Sequence, residues 1–513
     1  MTPLDSSDGG PSQPTLARRL GTADGLAIAA SSTAITTTVG VGLGAIATIV
    51  GIQMPILLVL AFLPIIGIAI GYATLNKVES NCGNSYVWVG QTLSPWLGFL
   101  SGWFQMVSVL IFLTYTTAIA GSAIIQLLDM AHVSSVLGVT LDANSTLQTT
   151  VLGLLILVPL TITAIRGIDV AARLQKYLLA FEYTVLVGFC LYGVFAGGQP
   201  FSWAWFNPFA MQSFTVLAQG LVVAVFCYWG FEAAFSVNEE VRDPKDASRA
   251  GLLTVILALG LFVLAAIAFQ RVIPHDELTT SGTAGLASFG SMLADEPLAA
   301  LPVIALTLSV VASIQATLIP SARFLYAMGR DRTLGPVWTK LHPRFGTPAL
   351  ATVCFAVLAG TLALIAVIIP KLSDLILAGV NSVGFVVALW YGLTGVASAV
   401  RFRSTLRNQP GKAIGAVIIP LLSSAILFTL SGYLAWTWIN STDHFELVPN
   451  NGWFLISIPT LMVGSGLVMA AVAKWGRKSP YFVSGRGTDA DATTLTDGPD
   501  TPNAIITSAE LPA

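Results

Sequence analysis

Two carboxylates stand where a carboxylate is expensive. Glu182 lies between Tyr177-Leu178-Leu179-Ala180-Phe181 and Tyr183-Thr184-Val185-Leu186, and Glu232 closes the run Phe226-Cys227-Tyr228-Trp229-Gly230-Phe231. A charge at the centre of an apolar helix costs about 2.5–3.5 kcal/mol on insertion scales, so each must bind a cation, carry a proton or lock helices together. Hydrocarbon surroundings favour a neutral carboxyl over a charged one, which is the property a proton carrier needs. Bond-making chemistry has no comparable candidates. His132, His275, His342 and His444 fall outside the apolar runs, no His-Glu-x-x-His occurs, and Cys82, Cys190, Cys227 and Cys354 lack zinc-type spacing. The residues read as a non-enzyme with no metal and no cofactor, driven by a proton gradient, with sodium as the open alternative.

The elements that must hold these acids are membrane spans. Of 513 residues only 10% are charged and 55% are apolar, with 47 glycines and a mean hydropathy of +0.78. That is more apolar surface than a water-facing fold can bury. A net charge of −2 excludes a basic nucleic-acid binder. Twelve apolar stretches follow one another, at 26–50, 54–75, 97–127, 148–165, 174–195, 214–238, 251–269, 300–328, 348–369, 372–399, 413–438 and 452–473. Their length marks them as helices of an all-α integral membrane protein. Placing both termini in the cytoplasm leaves only Arg271 and Lys371 of the 24 Lys and Arg outside, a strong positive-inside signal for a multi-pass cytoplasmic-membrane protein. The segments Thr140–Thr146 and Ser441–Phe445 then face outward. Trp203, Trp205, Phe206, Trp436, Trp438 and Trp453 sit at outer span ends, where amphipathic rings prefer the headgroup layer. Residues 1–24 form a cytoplasmic tail, 25–475 the helical domain, and 476–513 a polar tail expected to be disordered.

Two spans are poor helix material. The first holds Thr36-Thr37-Thr38-Val39-Gly40-Val41-Gly42-Leu43-Gly44, and the sixth holds Gly230 beside Glu232. Glycine-interrupted spans at matching positions of two halves point to a transport site built on a repeat. Close helix packing is the alternative, because Gly40 and Gly44 also make a G-x-x-x-G pattern.

Three segments carry a family resemblance. Tyr72-Ala73-Thr74-Leu75 with Cys82-Gly83-Asn84-Ser85-Tyr86-Val87-Trp88-Val89 and Pro95-Trp96-Leu97-Gly98-Phe99-Leu100-Ser101-Gly102-Trp103 resembles the second-to-third helix connection of the amino acid–polyamine–organocation permeases. Tyr228-Trp229-Gly230-Phe231-Glu232 with Asn238-Glu239-Glu240-Val241-Arg242-Asp243-Pro244 resembles their sixth helix and its acidic exit. The third segment, from Ser321 through Arg323 to Asp331 with Gly346-Thr347-Pro348, is similar to the end of the eighth helix. The resemblance implies the LeuT-type fold: inverted five-helix repeats over about 25–196 and 212–400, then helices eleven and twelve over about 413–474. The first helix departs from the common Gly-Ser-Gly pattern, so its register is open by a few residues.

By that resemblance, a substrate carboxylate rests on backbone amides at Val39, Gly40, Val41 and Gly42, and its ammonium meets carbonyls at Thr37, Thr38 and from Phe226 to Trp229. Gly230 marks the sixth-helix break. Breaking a helix at mid-membrane presents both dipole ends without a formal charge, and a zwitterion matches both. Phe226, Tyr228 and Trp229 would close over the substrate, or else simply fill the bundle. Glu182 falls near the place where sodium-coupled relatives hold a cation, and Glu232 falls at the sixth-helix break; proton coupling and structural locking both remain open for each. The implied function is import of an amino acid or polyamine through the lipid bilayer by alternating access with proton symport. An amine exchanger and a non-transporting sensor on the same fold are the alternatives. The mixed-charge stretch Glu239, Glu240, Arg242, Asp243, Lys245 and Arg249 reads as a solvated loop, with gating as its second reading. Ser281–Ala294 would be an outer lid, the counterpart of Asn84–Leu93. Oligomeric state leaves no trace in the sequence.

Overall fold

In membrane, backbone groups must be satisfied within the segment that carries them, and the computed structural model is accordingly helical almost throughout. It describes residues 18–136, 138–166, 168–280, 285–369, 371–440 and 452–484. Residues 281–284, the Ser441–Phe445 segment with His444, the side chain of Trp453 and the far ends of both tails lie outside the described residues. In chain order the helices are α1 (Thr22–Thr33), α2 (Leu43–Val50), α3 (Met54–Val78), α4 (Asn84–Thr92), α5 (Pro95–Met130) and α6 (Thr146–Arg166). Next come α7 (Ile168–Ala196), α8 (Phe214–Cys227), α9 (Ala233–Ser236), α10 (Pro244–Val272), α11 (His275–Thr280) and α12 (Gly285–Leu293). The set ends with α13 (Leu301–Arg330), α14 (Ala349–Ala366), α15 (Leu372–Arg401), α16 (Ile419–Ile439), α17 (Gly452–Ala471) and α18 (Tyr481–Ser484). Among the described residues ten helical runs are long and apolar enough to cross a membrane. The first of these, Thr22–Val78, takes in α1 to α3, and α8 is a shorter apolar helix.

The first helix is interrupted, but earlier than its glycines suggest. α1 ends where Ala34 turns left-handed at φ 52°, with its N–H donating to the carbonyls of Ala30 and Ser31. A single turn, Ile35–Thr37, and a wide π turn, Thr38–Gly42, then lead into α2. The break falls just after Thr33, whose hydroxyl competes for a helical carbonyl by donating to Ala29 at 2.9 Å. Gly40 stays helical because its bare backbone lies under α12: a Cβ there would sit 2.7 Å from Leu286. Close packing therefore accounts for that glycine.

The sixth span breaks where expected. α8 stops at Cys227, and Gly230 adopts φ 115°, a conformation that favours glycine. α9 then starts after Glu232. The two breaks touch, since a Cβ on Gly230 would lie 2.6 Å from the Thr33 nitrogen and 2.7 Å from the Ser32 carbonyl carbon.

α7 shows one face to lipid, with Tyr177 76% exposed, and turns Glu182 inward at 1%. The aromatic belt is only partly at the surface. Trp203 and Trp436 are exposed, whereas Trp205 packs on Phe201 and Trp438 on Phe385 in the core. The polar tail also begins in order rather than disorder, because Tyr481 in α18 is fully buried.

Candidate functional site

The meeting of the two breaks is walled by rings. Trp229 stands at right angles to Phe112 of α5 with centroids 5.3 Å apart, lies 5.7 Å from Phe226, and meets Trp390 of α15 at 6.2 Å. Phe112 continues to Tyr115 at 5.5 Å. Gly42 faces the same place, since a Cβ on it would lie 3.8 Å from the Cys227 sulfur. Tyr228 is not part of this wall. It turns away, donates its hydroxyl to the Leu58 carbonyl at 2.9 Å, and packs against Phe262 at 5.3 Å. A buried phenol needs an acceptor, and α3 supplies one.

Buried polar atoms without partners occur on these elements. Thr36 and Thr37 after the first break, and Tyr115 on the ring wall, each bury a hydroxyl with no hydrogen-bond partner. Buried polar groups are normally paired, so a concentration of exceptions marks a place where a polar molecule can supply the missing partners. Trp229 also lines a cavity of about 20 Å³, together with Ser32, Gln105, Glu232 and Thr317. That volume admits water but no amino acid, so substrate passage requires the helices to part. Thr38, Val39 and Val41 occupy the π turn; Val39 and Val41 are buried, and Gly40 is held under α12.

Glu182 and Glu232 serve different surroundings. Glu182 lies beside Ser309 of α13, and its Oε2 has no hydrogen-bond partner. Ser309 accepts the Thr37 N–H at 3.3 Å, which ties α13 to the first-helix break close to Glu182. Glu232 accepts from the Gly230 N–H at 3.1 Å and from Tyr391 of α15 at 2.6 Å. It therefore satisfies an amide freed by its own break.

A second charged group is not evident from the sequence. One mouth of the bundle is closed by Arg323 and Glu240, 2.7 Å apart at 1% and 5% side-chain exposure, and by Arg330, which holds Glu239 at 2.8 and 3.1 Å. Glu240 is thus buried rather than solvated. Its carbonyl accepts from the Arg19 and Leu20 amides, tying the chain's N-terminal stretch to the same mouth. Burial would lift the Glu239 carboxyl, but the Arg330 guanidinium and the Cys82 N–H outweigh it and hold the group below its ordinary value. Gln105 lines the cavity, Gln315 donates to Thr163 at 3.2 Å, and Asn381 donates to the Leu377 carbonyl at 2.9 Å.

Two broken helices thus meet at a polar, ring-walled centre inside a bundle of membrane-length helices. The chain belongs to the amino acid permease family, whose sequence pattern matches residues 28–465. It is similar to the methylthioribose transporter of Bacillus subtilis, 25% identical over 54% of this chain and 59% of that one. It also resembles the low-affinity putrescine importer PlaP of Escherichia coli, 24% identical over 61% and 67%. The branched-chain amino acid permease BcaP of Bacillus subtilis is 23% identical over 83% of this chain and 89% of its own. The chain thus spans about six tenths of the methylthioribose transporter it matches.

Gly230→Ala should abolish ligand binding while the protein still inserts. The left-handed backbone costs of order 1–3 kcal/mol for a residue with a Cβ, and that Cβ would push the two breaks apart. Ligand-induced thermal shift is the measurement, and a shift equal to that of the native protein would contradict the assignment.

Proposed function

We propose that this chain is a secondary active transporter that imports an amino acid or related amine across the cytoplasmic membrane by alternating access, coupled to protons at Glu182. The carrying observation is the contact of Gly230 with the Ser32–Thr33 peptide among unpartnered hydroxyls. Substrate would bind between Thr37–Gly42 and Phe226–Gly230, with Phe112 and Trp229 giving a cationic group about 0.5–2 kcal/mol of cation–π attraction. Relatives named for putrescine and for branched-chain amino acids support a small amine or amino acid without choosing between them. Twelve crossings in two inverted repeats, α1–α7 and α8–α15, fit the order of elements, with α4 and α12 as counterparts at opposite faces.

A thermal-shift screen of amino acids and polyamines identifies the ligand, because a compound that binds the native state raises its stability. Proteoliposomes with an imposed pH gradient, acidic outside, should then accumulate it. Accumulation that follows sodium instead overturns the proton assignment, uptake only into preloaded vesicles identifies an exchanger, and binding without flux identifies a sensor. With both termini inside, cysteines placed in Thr140–Thr146 should label from outside sealed cells, whereas Arg332→Cys and Arg407→Cys should not. Outside labelling at either of those two would invert the topology.

A further inference from the structure

The segment after α17 is built into the bundle at its cytoplasmic end. Tyr481 is fully buried, stacks on Tyr86 of α4 with ring centroids 4.4 Å apart at 7°, and donates its hydroxyl to the Tyr86 carbonyl at 2.7 Å. Its hydroxyl sits in a socket made by the absence of two side chains: a Cβ on Gly90 or on Gly98 would run into it. Just before the ring the segment is fastened to the residues that follow α13, where Arg477 donates to the Thr333 carbonyl at 2.7 Å and Ser479 to the Asp331 carbonyl at 2.5 Å. Phe482 adds contacts to Trp96 and Phe99 at the start of α5.

What the segment holds is the hairpin that grips the inner half of the broken sixth helix. Asn84 donates to Ser236 of α9 at 2.8 Å, and the Cys82 N–H donates to Glu239 at 3.0 Å, the carboxylate that Arg330 also holds. We propose that Arg477–Ser484 is a strap that keeps the cytoplasmic gate shut by pinning α4 against α9, and that inward opening requires Tyr481 to leave its socket. Two independent fastenings, one on the hairpin and one on α13, place it across the line along which these elements must separate. Only the consequence for transport rests on the alternating-access reading; the strap itself is a statement about the closed protein and is tested without flux.

The test is amide hydrogen exchange on the full-length purified protein, followed by mass spectrometry. Tyr481→Ala should speed exchange of the 233–240 amides about tenfold or more, because opening of that stretch is what the strap opposes. Gly90→Ala, which leaves the tail intact but fills the socket, should give the same acceleration, and the two changes together should add nothing further. Tyr481→Phe keeps the stack without the hydrogen bond and should fall between, and it carries the test should the alanine variant be unstable. Acceleration confined to 84–98 and 477–484, with 233–240 unchanged, would overturn the proposal and leave the segment as local packing.

Discussion

Glu182→Gln is expected to abolish accumulation driven by a pH gradient while substrate binding and counterflow persist. One unit of pH supplies about 1.4 kcal/mol per proton, enough for about tenfold accumulation, so the accumulation ratio should fall from about ten to about one. The argument is one of elimination. A cation-binding acid should contact the breaks, but none of the bonds that hold Gly230 or the Thr37 amide goes to Glu182. A lock should have firm partners, as Glu232 has in the Gly230 N–H and the Tyr391 hydroxyl that both donate to its Oε2, whereas Oε2 of Glu182 has none. A proton carrier needs such an oxygen, because protonation converts an acceptor into a donor and that donor must find a new bond. Ser309 is the group that would feel the change, and Ser309 also holds the Thr37 amide. Glutamine has nearly the volume and one permanent donor, so it imitates the protonated state and should leave a merely structural role intact. Unchanged pH-driven accumulation in proteoliposomes would remove Glu182 from the mechanism and leave Glu232.

What could be read from the sequence follows the physics that acts on each feature. The spans were legible because lipid forces long apolar runs into helices, and the sixth-helix break because Gly230 can adopt a backbone angle that other residues avoid. The first break was not, since an alanine in the left-handed region leaves no compositional mark, while Gly40, which does leave one, serves packing under Leu286. The aromatic wall was half legible. Phe226 and Trp229 announced themselves by lying at a break, but Phe112, Tyr115 and Trp390 come from helices that look uniformly apolar, and nothing local tells a wall residue from a filler. The strap and the charged mouth depend on pairs 395 and 83 residues apart, Tyr481 with Tyr86 and Arg323 with Glu240. Each partner alone resembles loop or tail. The resemblance did single out the two motifs that hold Arg323 and Glu240, and juxtaposing them was the missing step.

The second large effect should come from that pair. Arg323→Ala strands the Glu240 carboxylate at 4% exposure, and removing one member of a buried ion pair costs about 3–5 kcal/mol. The closed mouth should bear that loss, so the variant should populate an open interior and lose gradient-driven accumulation. A purely structural pair would give the same result, and a single variant cannot separate the two. Replacing both partners does. A buried ion pair exchanged for apolar residues of similar size is often neutral or stabilising, so Arg323→Met with Glu240→Leu should restore thermal stability to near the native value. It should not restore turnover. Two ions that separate regain water on each side, which offsets part of the cost of opening, whereas two apolar groups gain nothing by parting and hold the mouth shut. Recovery of both stability and transport would show the pair to be structural. The neighbouring Arg330–Glu239 pair, each side chain 19% exposed, should matter less and should not sense pH near neutrality. Its carboxylate is held below the ordinary value, so its contribution is complete above about pH 4.3 and is lost only as pH falls through that lowered value. A neutral-pH dependence of transport in the Glu239→Gln variant equal to that of the native protein would leave Glu182 as the group that reads the proton gradient; loss of that dependence would move the sensor to the mouth.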